Sequence, residues 1–170
     1  MTAHQAALEA LTRYFGYDSF RPGQQGIVEA LLAGRDVLGV MPTGAGKSVC
    51  YQIPAALSPG MTLVISPLIS LMRDQVDALN DLGLPAAFIN TTQTPDEQAM
   101  VFAQAAAGQI KLLYVAPERL ETGRFRDFAA RTPISLIAVD EAHCVSQWGQ
   151  DFRSSYLGIG DFIAGLPQRP

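Results

Sequence analysis

The fold of this 170-residue chain is decided by the stretch Val37-Leu38-Gly39-Val40-Met41-Pro42-Thr43-Gly44-Ala45-Gly46-Lys47-Ser48. It begins with a short apolar run, passes through two closely spaced glycines and ends where an amphipathic segment starts. A strand that leads through a glycine-rich loop into a helix is the setting of a phosphate-binding loop. The stretch therefore predicts a strand at Val37–Met41 and a helix at Lys47–Leu57. A chance Gly-Lys-Ser in an ordinary loop is the weaker alternative, because the flanking elements fit.

Each residue of this loop has an expected task in holding a triphosphate. Gly44 and Gly46 let backbone N–H groups turn inward, where the start of a helix adds positive partial charge. Lys47 is expected to reach the β and γ phosphates, and Ser48 to place its hydroxyl on Mg²⁺. Thr43 would hold the loop or the γ phosphate. The loop thus predicts a nucleoside triphosphate site.

Outside the loop, short apolar runs rich in β-branched residues alternate with stretches of helical periodicity. Strands are predicted at Val37–Met41, Leu63–Ile65, Ala86–Ile89, Lys111–Val115 and Ile134–Val139. Helices are predicted at Ala6–Phe15, Gly23–Leu32, Lys47–Leu57, Leu68–Leu82 and Asp96–Ala107. This alternation indicates an α/β fold, a mostly parallel sheet with helices on both faces. We expect residues 1–170 to form one domain.

A pair of acidic residues ends the last predicted strand. Asp140 and Glu141 follow the apolar run, and His143 stands two positions further on. Ligands bind at the carboxyl ends of strands in open α/β sheets, so both carboxylates would face the nucleotide. Asp140 would then hold Mg²⁺, Glu141 would polarise the attacking water, and His143 would link nucleotide state to movement. The alternatives are a solvated Asp-Glu turn and a histidine that only makes hydrogen bonds.

Charge and composition argue against several other classes of protein. The 12 Lys+Arg and 16 Asp+Glu give a net charge of -4, so the chain lacks the overall basic field of many nucleic-acid binders. Cys50 and Cys144 lie far apart without metal-ligand spacing, which indicates buried thiols rather than a disulfide framework or zinc site. No secretory leader and no run of about 18 apolar residues occurs, so we expect a cytoplasmic protein with no membrane partner.

Five segments carry compact motifs in a fixed order: Phe15–Gln25, Met41–Gln52, Ser66–Gln75, Tyr114–Leu120 and Asp140–Gly149. Together they resemble the motifs of RecQ-type superfamily-2 ATP-dependent DNA helicases, over nearly the whole chain. The general phosphate-loop pattern has glycine where this chain has Met41, but the helicase form of the loop reads x-P-T-G-x-G-K-[ST]. The resemblance implies a RecA-like P-loop NTPase fold that uses ATP and Mg²⁺.

The resemblance implies an adenine site before the phosphate loop. Gln24 would donate to and accept from the base edge, Arg21 would assist, and Tyr17 would stack on the ring. Adenine would therefore be preferred over guanine. For the neighbouring Phe20, a place in the core is the expected alternative.

The resemblance also implies contacts with single-stranded DNA. Ser66 and Arg119 would touch the sugar–phosphate backbone, Trp148 and Phe152 would stack on bases, and Arg153 would take a phosphate. The alternatives are ordinary strand-to-helix turns and two aromatics packed on one helical face. We expect the DNA-facing side to carry five arginines: Arg119, Arg124, Arg126, Arg131 and Arg153.

The resemblance finally implies that the chain is one part of a larger, multi-domain motor protein. We expect the RecA-like domain to be incomplete at its C-terminus and to need a second helicase domain, because unwinding requires two domains that close on ATP. The expected activity is 3′-to-5′ DNA unwinding in recombination and repair, at the nucleoid in a bacterium, with the 170 residues alone inactive in unwinding. Gln150 replaces a histidine of the family's aromatic-rich loop. The alternatives are a short nucleotide-binding or partner-binding protein without motor activity, and a small P-loop kinase.

Overall fold

The computed structural model describes residues 1–42, 44–149 and 153–170. Its helices are α1 (Ala3–Phe15), α2 (Gln24–Leu32), α3 (Val49–Leu57), α4 (Ile69–Asp81), α5 (Pro95–Ala106), α6 (Gly123–Arg131) and α7 (Ile159–Ala164). Its strands are β1 (Met61–Ile65), β2 (Ala86–Ile89), β3 (Leu112–Val115) and β4 (Ile134–Val139). Short 3₁₀ segments lie at Pro117–Glu121, Ala142–Val145 and Ser154–Gly158. In these described ranges no helix is long and apolar enough to cross a bilayer.

The strands form one parallel sheet in the order β2-β3-β1-β4. Ile65 pairs with both Val115 and Val139, and Ile89 pairs with Val115, so all four strands end level. The residues that follow them therefore form a row along one edge: Asn90, Ala116, Ser66 and Asp140. Polar groups that the chain places after separate strands thus meet at the carboxyl edge of the sheet.

Helices cover both faces of this sheet, as predicted. On one face, Leu63 and Ile65 pack with residues of α5, α6 and α7, among them Phe125 and Phe162. On the other, Val64 packs with α3 and α4. A third cluster joins α1, α2 and α3, and Phe20 packs against it, which confirms the core position expected for that ring.

Helix starts follow the local capping chemistry. Thr2 accepts a hydrogen bond from the Gln5 N–H while the Gln5 side chain accepts one from the Thr2 N–H, so α1 begins earlier than the apolar spacing alone indicates. Thr94 and Glu97 make the same reciprocal pair at the start of α5. The helices α6 and α7 were not predicted.

The predicted strand at Val37–Met41 is wrong for this structure. Its residues have no regular secondary structure, and the described sheet has four strands rather than five. The segment runs beside β4, with Gly39 and Met41 lining a shared cavity, but Leu38 and Val40 are 82% and 89% exposed. A strand is stabilised by a hydrogen-bonded partner, and a glycine in its interior weakens it, so apolar character alone did not suffice here.

Candidate active site

The phosphate loop adopts the backbone that its glycines allow. Gly44 and Gly46 have φ values of 81° and 77°, in the left-handed region that favours glycine. Arg21 Nη1 donates to the Gly44 carbonyl at 3.1 Å, and Gln24 Nε2 donates to the Gly46 carbonyl at 2.9 Å. Because a trans peptide points its C=O and the next N–H in opposite directions, the Gln24 bond turns the Lys47 N–H to the other side of the loop, whereas the Ala45 N–H donates to the Pro42 carbonyl at 3.1 Å. The loop is therefore shaped to receive an anion, and Lys47 lies exposed beside it.

The residues predicted to recognise adenine, Tyr17, Arg21 and Gln24, lie beside this loop. Gln24 is 3% exposed, and its Oε1 accepts from the Arg21 N–H at 2.8 Å. The Arg21 guanidinium lies 5.9 Å from the centroid of the half-exposed Tyr17 ring. Gln24 Nε2 also donates to the Ala45 carbonyl at 3.5 Å. An amide has two N–H groups and two oxygen lone pairs, so both N–H groups of Gln24 are used and one lone pair of its Oε1 remains. The three residues thus form one connected group beside the loop.

The acidic strand end is held by backbone hydrogen bonds. The Asp140 N–H donates to the Ile65 carbonyl at 2.9 Å, and Asp140 Oδ1 accepts from the Glu141 N–H at 2.9 Å. Glu141 has φ 54°, the only non-glycine residue with positive φ in the described ranges. Such a backbone costs about 1–3 kcal/mol and often occurs at functional sites. His143 Nδ1 lies 3.4 Å from Glu141 Oε2, so these two residues, which have separate predicted roles, are in contact.

Lys47 and Asp140 face the same small cavity. It measures about 160 Å³ and lies between the phosphate-loop side and the end of β4. Ser48, next to Lys47 in sequence, is the N-cap residue of α3, and its side chain makes no capping hydrogen bond. No cluster of three His, Cys, Asp or Glu side chains that could hold a metal occurs among the described residues. Hydroxyl and carboxylate oxygens are ligands that Mg²⁺ accepts when phosphates and water supply the rest, so Ser48 and Asp140 fit such an ion.

Two buried tyrosines, which the sequence analysis missed, lie beneath this cavity. Tyr51 on α3 lines it, and its hydroxyl is 3.3 Å from that of Tyr114 on β3. Burial raises the pKa of both phenols above the ordinary value of 10.0. Tyr51 follows Ser48 by three positions, a helical spacing that could have drawn attention to it.

A third tyrosine links the acidic strand end to the segment that follows residue 152. Tyr156 donates its hydroxyl hydrogen to the Asp140 carbonyl at 2.8 Å, and burial raises its pKa. The preceding residue, Ser155, donates to Glu118 Oε1 at 3.1 Å. The Arg153 N–H donates to the Cys144 carbonyl at 2.9 Å. The 3₁₀ segment Ser154–Gly158 is therefore tied to β4 and to the turn after β3.

The predicted DNA residues come together only in part. Arg119 and Arg153 line one cleft of about 470 Å³ at the carboxyl edge of the sheet. Trp148 is 96% exposed, so it does not pack on a helical face. Ser66 is 1% exposed, and its Oγ accepts from the Leu68 N–H at 3.2 Å, which stabilises the turn. Thr43, Gln150 and Phe152 lie outside the described residues.

The grouping of five arginines on one DNA-facing side is wrong. The Arg124 guanidinium lies 4.7 Å from the Phe102 ring centroid, and Arg126 Nε donates to the Leu120 carbonyl at 2.9 Å. Arg131, at the end of α6, lines a pocket at the amino ends of β1 and β4. The opposite ends of α6 therefore lie toward opposite edges of the sheet.

Comparisons with known proteins agree with the motifs. A family model described as DEAD/DEAH box helicase matches residues 21–169. The chain is 51% identical over 164 residues to the ATP-dependent DNA helicase RecQ of Haemophilus influenzae, covering 96% of the chain and 26% of that protein. It is 47% identical over 165 residues to the RecQ of Bacillus subtilis, covering 96% and 28%. The chain thus spans about a quarter of the length of these curated relatives.

A solved structure supports the fold independently. The crystal structure of a hypothetical ATP-dependent RNA helicase from Sulfolobus tokodaii matches with a TM-score of 0.67 and 22% sequence identity. The match covers 95% of this chain and 46% of that one, and at this identity it shows a shared α/β, RecA-like fold alone. The family model matches residues 21–169, which is most of the chain, and the chain therefore belongs to the DEAD/DEAH box helicase family.

Proposed function

We propose that the chain is an ATP-hydrolysing motor segment of a DNA helicase. One observation carries the proposal. The cavity shared by Lys47 and Asp140 extends along β4 to its carboxyl end, and the cleft lined by Arg119 and Arg153 lies at the carboxyl edge of the same sheet. A nucleotide site and a polynucleotide site on one rigid sheet are what coupling of hydrolysis to strand movement requires.

The chemistry follows from the placed residues. Lys47 binds the β and γ phosphates, and the loop backbone orients them. Ser48 and Asp140 hold Mg²⁺, which when bound offsets phosphate charge. Glu141 accepts a proton from the attacking water, and His143, in contact with Glu141, senses the change in charge there.

The choice of nucleotide base would depend on the three residues beside the phosphate loop. The Gln24 amide would match the N6 and N7 edge of adenine once its hydrogen bond to the Ala45 carbonyl, the longer of the two that it donates at 3.5 Å, is exchanged for one to the base. Tyr17, Arg21 and Gln24 would then favour ATP over GTP, with Thr43 on the γ phosphate. Equal affinity for the two nucleotides would contradict this assignment.

Single-stranded DNA would run along the carboxyl edge. Arg119 and Arg153 supply positive charge for phosphates, and the exposed Trp148 supplies a face for base stacking, as would Phe152 four positions later in the sequence. Ser66 would act through the turn that its hydroxyl stabilises. The acidic net charge is therefore compatible with DNA binding, because two arginines, Arg119 and Arg153, lie together at this cleft.

The relatives named as DNA helicases extend the proposal to the whole protein. We place its unwinding in the 3′-to-5′ direction, in recombination and repair, and in the cytoplasm, at the nucleoid in a bacterium. A second helicase domain would complete the motor, so the 170 residues alone are expected not to unwind DNA. Partial duplexes with a 3′ or a 5′ single-stranded tail separate the two polarities, and unwinding of only the 5′-tailed duplex would contradict the assignment.

The central test is ATP turnover by the full-length gene product, with and without single-stranded DNA. DNA should stimulate turnover, and Glu141→Gln should retain ATP binding but lose turnover by about 10²-fold or more. Glu9→Gln, on the exposed face of α1, is the matched control and should behave as the wild type. Nucleotide binding without DNA stimulation would favour a non-motor nucleotide-binding protein, and phosphate transfer to an acceptor other than water would favour a kinase.

A further inference from the structure

The loop after β2, residues 90–93, borders the cleft at the carboxyl edge of the sheet. Asn90 and Thr91 line this cleft together with Arg119 and Arg153. Because β2 is the outer strand in the order β2-β3-β1-β4, the loop is the outermost member of the row of residues that follow the strands. Neighbouring strands lie about 4.8 Å apart, so the row spans about 14 Å from β4 to β2. A DNA strand that lies along the whole row would pass over this loop.

Hydrogen bonds of buried Asn90 hold the loop in one conformation. Asn90 is 3% exposed, and its Oδ1 accepts from the Thr92 N–H at 2.9 Å and from the Thr92 hydroxyl at 2.5 Å. The Asn90 N–H donates to Gln93 Oε1 at 3.1 Å. Gln98 Nε2, on α5, donates to the Asn90 carbonyl at 3.0 Å. The backbone on both sides of Thr91 is therefore fixed.

Thr91 itself keeps two unused donors on this fixed backbone. It is exposed and lines the cleft. Within residues 1–42, 44–149 and 153–170, neither its N–H nor its hydroxyl has a hydrogen-bond partner. Both groups are therefore available to a molecule that enters the cleft.

The chemistry of the cleft fits a phosphate of a polynucleotide. Backbone N–H groups, threonine hydroxyls and arginines are among the groups that bind nucleic-acid phosphates. The cleft also contains the Glu118 carboxylate, which accepts a hydrogen bond from Ser155 at 3.1 Å and would repel a phosphate. Donors besides Arg119 and Arg153 would therefore strengthen phosphate binding here.

We propose that Thr91 binds a phosphate of single-stranded DNA in this cleft, on a turn that Asn90 holds in position. The inference rests on the proposed function, because it assumes that DNA occupies the cleft. A purely structural turn between β2 and α5 is the competing explanation. The two explanations differ at the Thr91 hydroxyl, since a structural turn does not depend on an exposed hydroxyl without a protein partner.

The test measures the affinity of the full-length gene product for a fluorescein-labelled oligothymidine, by fluorescence anisotropy over a range of salt concentrations. Thr91→Val removes the hydroxyl and keeps the branched shape of the side chain. We expect the affinity to fall about threefold to tenfold, the effect of one hydrogen bond. Because threonine carries no charge, the slope of log affinity against log salt should stay at its wild-type value, whereas Arg119→Ala should lower it.

Further variants separate the contact from the turn. Thr91→Ser keeps the hydroxyl and should restore wild-type affinity. Thr12→Val, the same substitution at an exposed position of α1, is the matched control and should leave the affinity unchanged. In an Asn90→Ala background, Thr91→Val should have a smaller effect, because the turn no longer holds Thr91 at the cleft. The loss should be equal on an unstructured oligonucleotide of mixed sequence, because a phosphate contact carries no sequence information.

The outcomes separate this inference from the proposed function. If Arg119→Ala weakens binding and Thr91→Val does not, the Thr91 contact is overturned and the proposed DNA cleft stands. If Thr91→Ser loses as much affinity as Thr91→Val, the hydroxyl is not the binding group and the structural turn is the correct explanation. If Thr91→Val, Arg119→Ala and Arg153→Ala all bind as the wild type does, DNA does not occupy this cleft and the proposed function loses its DNA site.

Discussion

Gly44 and Gly46 have nearly the same backbone but different surroundings, so replacing each with alanine should separate strain from steric conflict. Both have φ near +80°. A Cβ at Gly44 would meet nothing within 4 Å, whereas a Cβ at Gly46 would lie 2.5 Å from Gln24 Nε2. Gly44→Ala is thus the matched control for Gly46→Ala.

The size of the difference follows from the contacts of Gln24. Placing alanine in the left-handed region costs about 1–2 kcal/mol at either position. At Gly46 the Gln24 amide must also move, and it is 3% exposed and bonded to the Gly46 carbonyl at 2.9 Å. Losing that bond in a buried setting costs a further 1–3 kcal/mol, roughly. We therefore expect Gly46→Ala to destabilise the chain by about 2–5 kcal/mol and Gly44→Ala by about 1–2 kcal/mol.

Denaturant unfolding followed by far-ultraviolet circular dichroism measures these values. The single tryptophan, Trp148, is 96% exposed and would report poorly on the core. In a Gln24→Ala background the difference between the two glycine variants should disappear, because the atom in conflict has been removed. Equal destabilisation by Gly44→Ala and Gly46→Ala in the wild type, or a difference that survives in Gln24→Ala, would refute the role assigned to Gln24.

Three other predictions concern the DNA cleft and the buried phenols. Trp148→Ala should weaken single-stranded DNA binding by about 1–3 kcal/mol while unfolding free energy stays within about 0.5 kcal/mol, as measured by fluorescence anisotropy and denaturation. Arg119→Ala should lower the slope of log affinity against log salt by about 0.7, whereas Arg131→Ala, at the opposite edge, should leave that slope unchanged. The pKa values of Tyr114 and Tyr156 are raised in the folded chain. The contribution of these two phenols to the free energy of unfolding is therefore complete below pH 10.0 and is lost as pH rises above it. Unfolding free energy measured from pH 8 to 11 should therefore fall above about pH 10, less steeply in Tyr156→Phe, and a flat profile would contradict the burial of these phenols.

Local sequence patterns predicted most of the fold, because apolar periodicity and capping residues depend only on the segment in which they occur. Four of the five expected strands form, and the capping residues around Thr94 start a helix as predicted. The fifth, Val37–Met41, does not form, because strand formation depends on hydrogen-bonding partners that an apolar run cannot reveal. Sequence pattern thus identified the segments reliably and the sheet's extent less well.

The candidate site was predictable where its residues are consecutive in the sequence. The phosphate loop and the acidic strand end reach one cavity, as the motif spacing implied. The prediction that five arginines share one side was wrong for a geometric reason. The helix α6 has nine residues and is about 13 Å long, so its last residue, Arg131, lies near the opposite edge of the sheet. The contacts of Tyr51 with Tyr114, and of Tyr156 with Asp140, join residues far apart in sequence, so no local pattern could show them.

Asp140 is the residue at which the two proposed sites meet. Its N–H is fixed by Ile65 of the sheet, while its carbonyl accepts a hydrogen bond from Tyr156. Tyr156 belongs to the segment that follows Arg153, which lines the proposed DNA cleft. A strand bound in the cleft would therefore act on the Asp140 carbonyl through a single hydroxyl. Because a hydrogen bond of 2.8 Å weakens steeply with distance and angle, we expect a shift of that segment to loosen the Asp140 carbonyl, which directly precedes the strained Glu141 backbone.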